Sequence, residues 1–149
     1  MLFGQFVGDW DILESRYLRG DGQWVQQRGE LHWGWILDGK AVQDVWLHFD
    51  ETGRLIPDGT TVRFYDHRID AWHSIWVSPN HHGVMSFVGR QVNDEIVLEG
   101  RGLDGNLLKW IFYEISPNSF NWRGEESNDQ GKSWVVTEEM QIRRRDSRD

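Results

Sequence analysis

Turn signals recur every 8 to 14 residues along the chain, and this spacing constrains the fold more than any other feature. Asp-Gly or Asn-Asp pairs separate runs rich in valine, isoleucine and aromatic residues, as at 37–40, 92–95 and 103–106. Tight hairpins need residues that accept positive φ, so the pattern predicts short antiparallel strands joined by hairpins. No stretch keeps an apolar period of 3.6 residues with helix caps, so the only helix we expect is a short turn near residues 2–7.

The pattern predicts ten strands in one domain spanning residues 1–149, a length typical of a single domain. The predicted strands are 8–18, 24–37, 40–49, 60–66, 71–79, 84–92, 95–102, 106–115, 119–127 and 133–144. Because the connections are short, sequential strands should pair antiparallel, and closure would remove the exposed edges. We therefore predict an all-β fold, a ten-stranded antiparallel up-and-down barrel, with residues 143–149 as a frayed tail.

Charge and composition exclude several classes of function. The net charge of −8 argues against a nucleic-acid partner, and the one basic cluster, at 143–145, is expected to be a solvated strand end. The chain has no cysteine, which excludes disulfides and thiol nucleophiles and fits the cytoplasm, where we expect the protein. The first residues lack a basic segment and no apolar run is long enough for a membrane span, so we expect neither a signal peptide nor a membrane partner.

The chain contains 10 tryptophans, more than a single core of this size needs. Tryptophan combines a large apolar ring with one N–H donor, so it suits ligand cavities and interfaces. A core that is simply rich in tryptophan is the competing interpretation.

The first and last strands carry a pair of residues typical of a known superfamily. Gly8-Asp9-Trp10 supplies a Gly-x-Trp in the first strand, and Arg143 or Arg144 supplies an arginine in the last. With these features the chain resembles the calycin superfamily, which includes lipocalins, fatty-acid-binding proteins and nitrobindins. In lipocalins this tryptophan packs against the arginine at the closed end of the barrel.

The pattern of the whole chain is similar to that of a bacterial lipocalin-like family of unknown function. The stretches that carry this resemblance are GELHWGWILDGKAVQDVW, TVRFYDHRIDAW, FVGRQ and WRGEESNDQGKSW. The resemblance implies a calycin barrel and supplies no activity.

Two-residue hairpins fix the strand register, and with it the face that each side chain takes. A turn at 38–39 would place Leu31 opposite Trp46, and the preceding hairpin would place Trp10 opposite Trp33. This face carries most of the aromatic residues, so it should be the interior. Its predicted residues are Trp10, Ile12, Leu31, Trp33, Trp35, Val42, Asp44, Trp46 and His48.

The same walk from the last hairpin places Trp122 opposite Glu138 and Glu126 opposite Trp134 inside the barrel. The neighbouring Arg123 and Glu125 would form an exposed pair. Continued towards the N-terminus, the interior set becomes Leu108, Trp110, Phe112, Val97, Glu99, Arg101, Val88 and Arg90.

Continued further, the walk leaves two tryptophans outside the barrel, Trp72 and Trp76. Large exposed rings need an interface to cover them, so a homodimer would explain this placement. A bulge at Gly83 or Gly89 would instead turn both rings inward.

Polar groups among these interior aromatics define a candidate binding site. The candidate ligand-binding residues are Trp33, Asp44, Trp46, His48, Arg90, Glu99, Trp110, Trp122 and Glu138. The tryptophans would stack on an apolar body, while Arg90 or His48 would hold an acid or carbonyl group. The competing interpretation is structural, with Arg90 and Glu99 forming an ion pair.

Two carboxylates are candidate catalytic bases, Glu138 and Asp44, because burial in an apolar pocket raises a carboxyl pKa. Asp44 and His48 lie about 13 Å apart along one strand and so form no dyad. The adjacent His81 and His82 are expected in an exposed turn without a third metal ligand.

We expect no metal and no cofactor. The resemblance to nitrobindins raises haem as an option, but their haem-ligating histidine lies near the C-terminus. The last histidine here is His82, far from the C-terminus, so we do not expect haem binding.

Three hypotheses for function follow. The first is binding of a small, partly apolar and possibly anionic molecule in a Trp-lined lumen. The second is a proton-transfer enzyme of the isomerase, cyclase or decarboxylase type using the same cavity. The third is a structural or interaction protein whose lumen the tryptophans fill.

Overall fold

The computed structural model describes residues 2–145 and shows a closed barrel of ten antiparallel strands. Each strand pairs with the next along the chain, and the first pairs with the last. The strands are β1 (Gly8–Leu18), β2 (Trp24–Ile36), β3 (Ala41–Phe49), β4 (Leu55–Asp66), β5 (Ala71–Ser78), β6 (Gly83–Val92), β7 (Glu95–Arg101), β8 (Leu107–Tyr113), β9 (Ser119–Ser127) and β10 (Val135–Arg144). The predicted fold class is confirmed.

Two short 3₁₀ turns accompany the strands, at Gly4–Phe6 and Pro79–His81. The first matches the predicted N-terminal turn. Within residues 2–145, no helix has the length and apolar character needed to cross a membrane.

One end of the barrel is closed by the N-terminal turn. Phe3 and Phe6 are almost fully buried, and the Phe6 ring lies 4.8 Å from that of Phe120 and 5.4 Å from that of Phe112. The Trp10 indole N–H donates to the Phe6 carbonyl at 2.8 Å, which fixes the turn against β1. Close tilted aromatic pairs of this kind fill space efficiently, so this half of the lumen is a packed core. We call this cluster of Phe3, Phe6, Trp10, Phe112 and Phe120 the aromatic plug.

Trp10 and Arg144 form the pair expected of a calycin barrel. They are opposite each other on β1 and β10, and the guanidinium carbon lies 4.1 Å from the centre of the indole. Arg144 also donates to the carbonyls of Val7 at 2.8 Å and of Gln5 and Pro117 at 2.9 Å. One side chain thus holds the N-terminal turn, the β8–β9 loop and the barrel closure together.

The prediction of a frayed tail over residues 143–149 is wrong for residues 143–145. β10 continues through Arg144, and Arg145 binds Asp11 at 2.7 Å and Glu30 at 3.1 Å. These contacts order the chain to residue 145, while residues 146–149 lie outside the described part.

The register of the β2–β3 hairpin is as predicted. Leu31 lies opposite Trp46 and Trp33 opposite Asp44, so their side chains point into the lumen. Trp35 shares this alternation but is 45% exposed, because it lies at the end of β2 beyond the aromatic plug. Its prediction as an interior residue is therefore wrong.

The β1–β2 hairpin differs from the prediction by two residues. Its loop has three residues and ends at Gly22, which has φ +83°, and a bulge between Ile12 and Ser15 shifts the pairing again. Trp10 consequently lies opposite Leu31 instead of Trp33. A shift of two residues preserves the face, so Trp10 and Ile12 are buried as expected.

The β7–β8 hairpin differs by one residue, which reverses the face of three strands. Gly102 pairs with Asn106 around a three-residue loop that ends at Gly105, with φ +85°. A type I turn followed by a left-handed glycine accounts for this loop length, where a two-residue turn was expected. Leu98 therefore lies opposite Trp110 inside the barrel.

The consequences of this reversal extend from β7 back to β5. The β6–β7 hairpin has the predicted two-residue turn, with Val92 opposite Glu95, and β5 pairs with β6 so that His73 lies opposite Val88. All their faces are nevertheless exchanged. The side chains that were predicted inside and point outwards are Val88, Arg90, Val97, Glu99 and Arg101.

Trp72 and Trp76 lie inside the barrel. Trp72 is 6% exposed and Trp76 packs within 5.8 Å of the Trp46 ring. The homodimer predicted from two exposed rings thus loses its support. The proposed bulges at Gly83 and Gly89 are not needed, since β5 and β6 pair without interruption from Trp72 to Ser78.

The C-terminal hairpin has the predicted faces along β9 and from Glu138 onwards on β10, but its register is shifted. Met140, not Glu138, lies opposite Trp122, because the pairing next to the loop, Glu126 with Val135, is already shifted by one residue and a bulge between Val136 and Glu138 adds a second. Arg123 and Glu125 form the expected pair on the outer wall at 2.7 Å, but both side chains are half-buried and not exposed as predicted. Trp134 lies outside under the Lys109 ammonium, 4.2 Å from its ring, instead of facing Glu126.

Replacement of Arg144 by methionine should destabilise the barrel by about 2 to 4 kcal/mol, because three carbonyls and the Trp10 ring lose their partner. The neighbouring Arg143→Met is the matched control, since Arg143 is exposed, and its effect should be below about 0.5 kcal/mol. Urea unfolding measures both. Equal effects of the two substitutions would contradict the role given to Arg144.

Candidate functional site

The end of the barrel opposite the aromatic plug contains an open cavity of about 670 Å³, which we call the lumen cavity. It is lined by Tyr17, Gln27, Trp46, His48, Asp58, Trp76, Ser78, His81, Gly83, Met85, Gly102, Leu103, Asp104, Leu108, Glu126 and Glu138. Its lining residues come from the strand ends remote from Phe3 and Phe6, such as Tyr17 on β1 and Ser78 on β5. The barrel is therefore filled at one end and hollow at the other.

Four tryptophans form a layer between the two halves, which we call the aromatic layer: Trp46, Trp76, Trp110 and Trp122. Successive ring centroids are 5.8, 6.1 and 5.6 Å apart. Phe87 stacks on Trp110 at 4.1 Å and completes the layer. Trp46 and Trp76 also line the lumen cavity, so the floor of the cavity is a surface of indole rings.

Gly59 on β4 makes room for this layer. A Cβ atom at this position would lie 2.5 Å from the edge of the Trp76 ring and 2.5 Å from the Val77 carbonyl oxygen. Only glycine permits so close an approach of the ring to the backbone, so Gly59 positions Trp76 beside Trp46.

Below the aromatic layer lies a smaller pocket with a buried ion pair. Arg63 and Asp44 are each 3% exposed and hydrogen-bonded to each other. The Arg63 guanidinium lies 4.5 Å from the centre of the Trp33 ring and 5.0 Å from that of Phe3. Burial raises the pKa of Asp44, although Arg63 opposes that rise. A carboxylate already engaged by a guanidinium is a poor general base, which weakens the candidacy of Asp44.

Two donors beside this small pocket have no hydrogen-bond partner among residues 2–145. They are Nε of Arg63 and Nε1 of Trp33, both buried. Buried donors are normally satisfied, so this region can accept an oxygen atom from a small guest such as water.

The wall of the lumen cavity carries a second pair, formed by His48 and Asp58 at 2.7 Å between Nδ1 and Oδ2. Asp58 lies at a register shift, where Trp46 pairs with Gly59 and Leu47 pairs with Pro57. Asp58 is thus the extra residue of a β-bulge, and bulges re-aim a side chain. Beside it, Ser78 donates to the Asp58 carbonyl at 3.2 Å and contacts His81 Nδ1 at 2.9 Å.

Glu138 lies on the opposite side of the cavity. It continues the inward alternation of Ile142 and Met140 along β10, and Tyr17 is its neighbour on β1. Burial in the lumen and the negative charge of Asp58 raise the pKa of Glu138 to about 7. Among residues 2–145 it has no hydrogen-bond or salt-bridge partner, so its ionised form is uncompensated.

The structure places seven of the nine predicted site residues around the lumen. Trp46, His48 and Glu138 line the lumen cavity, and Trp33, Asp44, Trp110 and Trp122 line the pocket below. Arg90 and Glu99 lie on the outer wall, both exposed, because of the face reversal at β7. No salt bridge joins them within the described chain.

Sequence reasoning missed four interior residues: Tyr17, Asp58, Arg63 and Trp76. Asp58 escaped because Pro57-Asp58-Gly59 suggests a turn, although it lies in a strand. Arg63 had a usable signal, since it alternates with Thr61 on a strand beside Asp44. The exposed pair of His81 and His82 is as predicted, and the described residues contain no cluster of three or more His, Asp or Glu placed to hold a metal.

Comparison with known proteins places the fold. No protein-family model matches the chain, and no curated protein matches it. The chain is similar to the solved structure of the S-type phycobiliprotein lyase CPES from Guillardia theta, with a TM-score of 0.66 and 16% identity over 98% of this chain and 92% of that one. It is also similar to Rv2717c from M. tuberculosis, with a TM-score of 0.66 and 9% identity over 97% and 96% of the two chains.

These identities establish shared architecture alone. The fold is a calycin-like barrel, as the resemblance of the sequence implied.

Asp44→Asn should destabilise the protein by about 3 to 5 kcal/mol, because it leaves the Arg63 charge buried without a counter-charge. The double variant Asp44→Leu with Arg63→Met should recover most of that loss, since it removes both charges. The exposed pair of Arg16 and Glu139 supplies the control. Glu139→Gln should cost about 1 kcal/mol or less in the same urea titration. A double variant no more stable than Asp44→Asn would contradict this account.

Proposed function

We propose that the barrel binds a small, partly apolar molecule in the lumen cavity, with its flat part against the aromatic layer and its polar end at the mouth. The observation that carries this proposal is a cavity of about 670 Å³ whose floor is made of Trp46 and Trp76. That volume lies within the range of small-molecule sites, which are mostly apolar and contain a few placed polar groups.

The polar groups available to such a ligand differ from those expected. Arg90, the predicted partner for an anionic group, lies on the outer wall. Arg63 is inside but is already paired with Asp44 below the aromatic layer. An anionic ligand thus has no free partner among these two residues, and its polar end would instead meet His48, Asp58 and Glu138.

A barrel filled by its own side chains explains only half of the molecule. The closed end fits that description, because Phe3, Phe6 and Trp10 pack there with almost no exposure. At the open end, Trp46 and Trp76 are only partly buried and line the lumen cavity. Exposed indole surface inside a cavity is stabilised by a bound apolar molecule.

The pairing of Trp10 with Arg144 also supports membership, within the calycin-like barrels, of the lipocalin-like family that the sequence resembles. We retain the cytoplasm as the proposed location, since the chain lacks cysteine.

Met85→Trp should block the lumen cavity, because Met85 is a half-buried cavity residue next to Trp76. The affinity of the Met85→Trp variant for the neutral dye N-phenyl-1-naphthylamine, followed by dye fluorescence, should be about tenfold or more below that of the wild type. Val84→Trp is the matched control, since Val84 is the adjacent residue, 63% exposed on the outer wall. It should bind the dye like the wild type.

Native mass spectrometry of the purified protein complements this test. A non-covalent adduct present in the wild type and in Val84→Trp, but absent from Met85→Trp, would identify the natural ligand by mass. Equal dye binding by all three proteins would place the site outside the lumen and overturn the proposal.

Proton transfer is a second candidate function, and Glu138 is the observation that favours it. Its pKa of about 7 matches the optimum for a general acid–base group at neutral pH, and within the described part of the chain no side chain competes for its carboxylate. A ligand on the aromatic layer would lie beside this group. Among the predicted bases, Glu138 is therefore the stronger candidate and Asp44 the weaker.

Glu138 should make the protein less stable as pH rises from about 4.5 to about 7. In this window the unfolded chain has lost its Glu138 proton and the folded barrel retains it, so folding stability falls with pH. Glu138→Gln removes this loss and should be more stable than the wild type at pH 8 by about 1 to 3 kcal/mol, with little difference at pH 4.5.

The outer-wall variant Glu99→Gln makes the same chemical change and should follow the wild-type curve. Denaturant titrations at pH 4.5, 6 and 8 measure all three proteins. Parallel curves for the wild type and Glu138→Gln would show that the carboxyl group ionises normally.

A further inference from the structure

We infer that the lumen cavity selects an organic cation, a molecule with a flat apolar body and a protonated amine or similar group at one end. The inference rests on the proposed binding function and names the class of ligand. It is carried by the charge of the cavity wall, by one uncompensated carboxylate and by the aromatic surface beside it.

The wall of the lumen cavity is acidic. Four carboxylates line it, Asp58, Asp104, Glu126 and Glu138, and no lysine or arginine of the described chain does so. A cavity with walls of one charge raises the local concentration of ligands of the opposite charge. The interior guanidinium of Arg63 lies beyond the aromatic layer and is already neutralised.

Three of these carboxylates are already engaged by the protein. Asp58 binds His48 at 2.7 Å, while the Asn106 amide donates to Glu126 at 2.8 Å and to Asp104 at 3.2 Å. Glu138 alone lacks a partner among residues 2–145, although burial makes its charge costly. A ligand ammonium is the group that would compensate it, because a desolvated carboxylate is stabilised by a paired, hydrogen-bonding cation.

Aromatic faces lie within the same cavity. Trp46 and Trp76 form its floor, and Tyr17 is the cross-strand neighbour of Glu138. Indole and phenol faces attract cations through their negative quadrupole, and the attraction grows where water is excluded. Carboxylates combined with aromatic faces favour an aromatic or alkyl ammonium over a neutral molecule of the same shape. They disfavour an anion of that shape most strongly.

Binding of a cation should depend on pH. A proton on Glu138 competes with the ligand cation, so affinity should rise between pH 6 and pH 8. The titratable groups that line the cavity together with Glu138 are Tyr17 on β1, His48 on β3, Asp58 on β4, His81 in the second 3₁₀ turn, Asp104 in the β7–β8 loop and Glu126 on β9.

Three naphthalene probes of one size test the inference: 2-naphthylmethylamine as its ammonium, 2-naphthylmethanol and 2-naphthoate. Isothermal titration at pH 8 gives their affinities for the full chain. We expect the ammonium to bind about tenfold or more tightly than the alcohol, and the naphthoate to bind most weakly. The ammonium should weaken at pH 6, while the alcohol should be unchanged.

Two variants assign the effect to the site. Glu138→Gln should lower the affinity for the ammonium by about tenfold and leave the alcohol within about twofold. Glu99→Gln makes the same charge change on the outer wall and should affect neither probe. Circular dichroism of each variant confirms that the barrel is folded before titration.

The possible results distinguish the preference for a cation from the proposed binding function on which it rests. Equal affinity for the ammonium and the alcohol, or tighter binding of the naphthoate, would overturn the cation preference and leave lumen binding standing. An ammonium preference that Glu138→Gln and Glu99→Gln reduce equally would reflect net charge alone and would overturn the site assignment. No binding of any probe at millimolar concentration would overturn both proposals.

Discussion

Closure of β1 onto β10 is the constraint on which the rest of the structure depends. Ten antiparallel strands bury their last backbone donors only when the first and last strands pair, and this pairing encloses a lumen wider than ordinary side chains can fill. Trp10 and Arg144 face each other across this seam. The N-terminal turn is drawn into the same end by the carbonyls that Arg144 binds, and it brings Phe3 and Phe6 with it. One end thus becomes a core, and the surplus of interior space remains at the other.

An interruption of the ladder helps to determine what this remaining space contains. The β-bulge on β4 lies where this strand reaches the open half, and it turns Asp58 inwards, whereas Glu138 simply continues the inward alternation of Ile142 and Met140. In a regular strand Asp58 would point outwards, because its neighbour Gly59 shares the inward face with Thr61 and Arg63. The added residue breaks that alternation. The polar character of the mouth therefore arises from local geometry as much as from composition.

The sequence predicts strand number, order and most boundaries, because turn residues punctuate it so regularly. It predicts faces only where the loop length can be inferred. The Asp38-Gly39 hairpin could be inferred correctly, whereas Asp104-Gly105 belongs to a three-residue loop with the same dipeptide. A difference of one residue in the register turned Trp72 outwards in the prediction and exchanged Leu98 for Glu99. The prediction of two large aromatic side chains, Trp72 and Trp76, on the surface was itself a sign of that error.

The site was harder to predict than the fold for the same reason. Its tryptophans are identifiable from composition and alternation, as Trp33, Trp46, Trp110 and Trp122 show. Arg63 and Asp58 come from a strand whose first half resembles a turn, and their partners lie on β3, so only the paired register brings them together. Charged residues also give no facing signal of their own. Arg90 and Glu99 alternate along their strands just as interior residues do, yet they lie on the outer wall.

The aromatic layer has an optical consequence. Its four indoles are spaced 5.6 to 6.1 Å from one to the next, close enough for excitation to pass between them before it is emitted. Light absorbed by any of these rings is shared, so a guest that touches Trp46 or Trp76 would dim emission from Trp110 and Trp122 as well. The tryptophan fluorescence of the aromatic layer should therefore change as a single signal when a molecule binds in the lumen cavity.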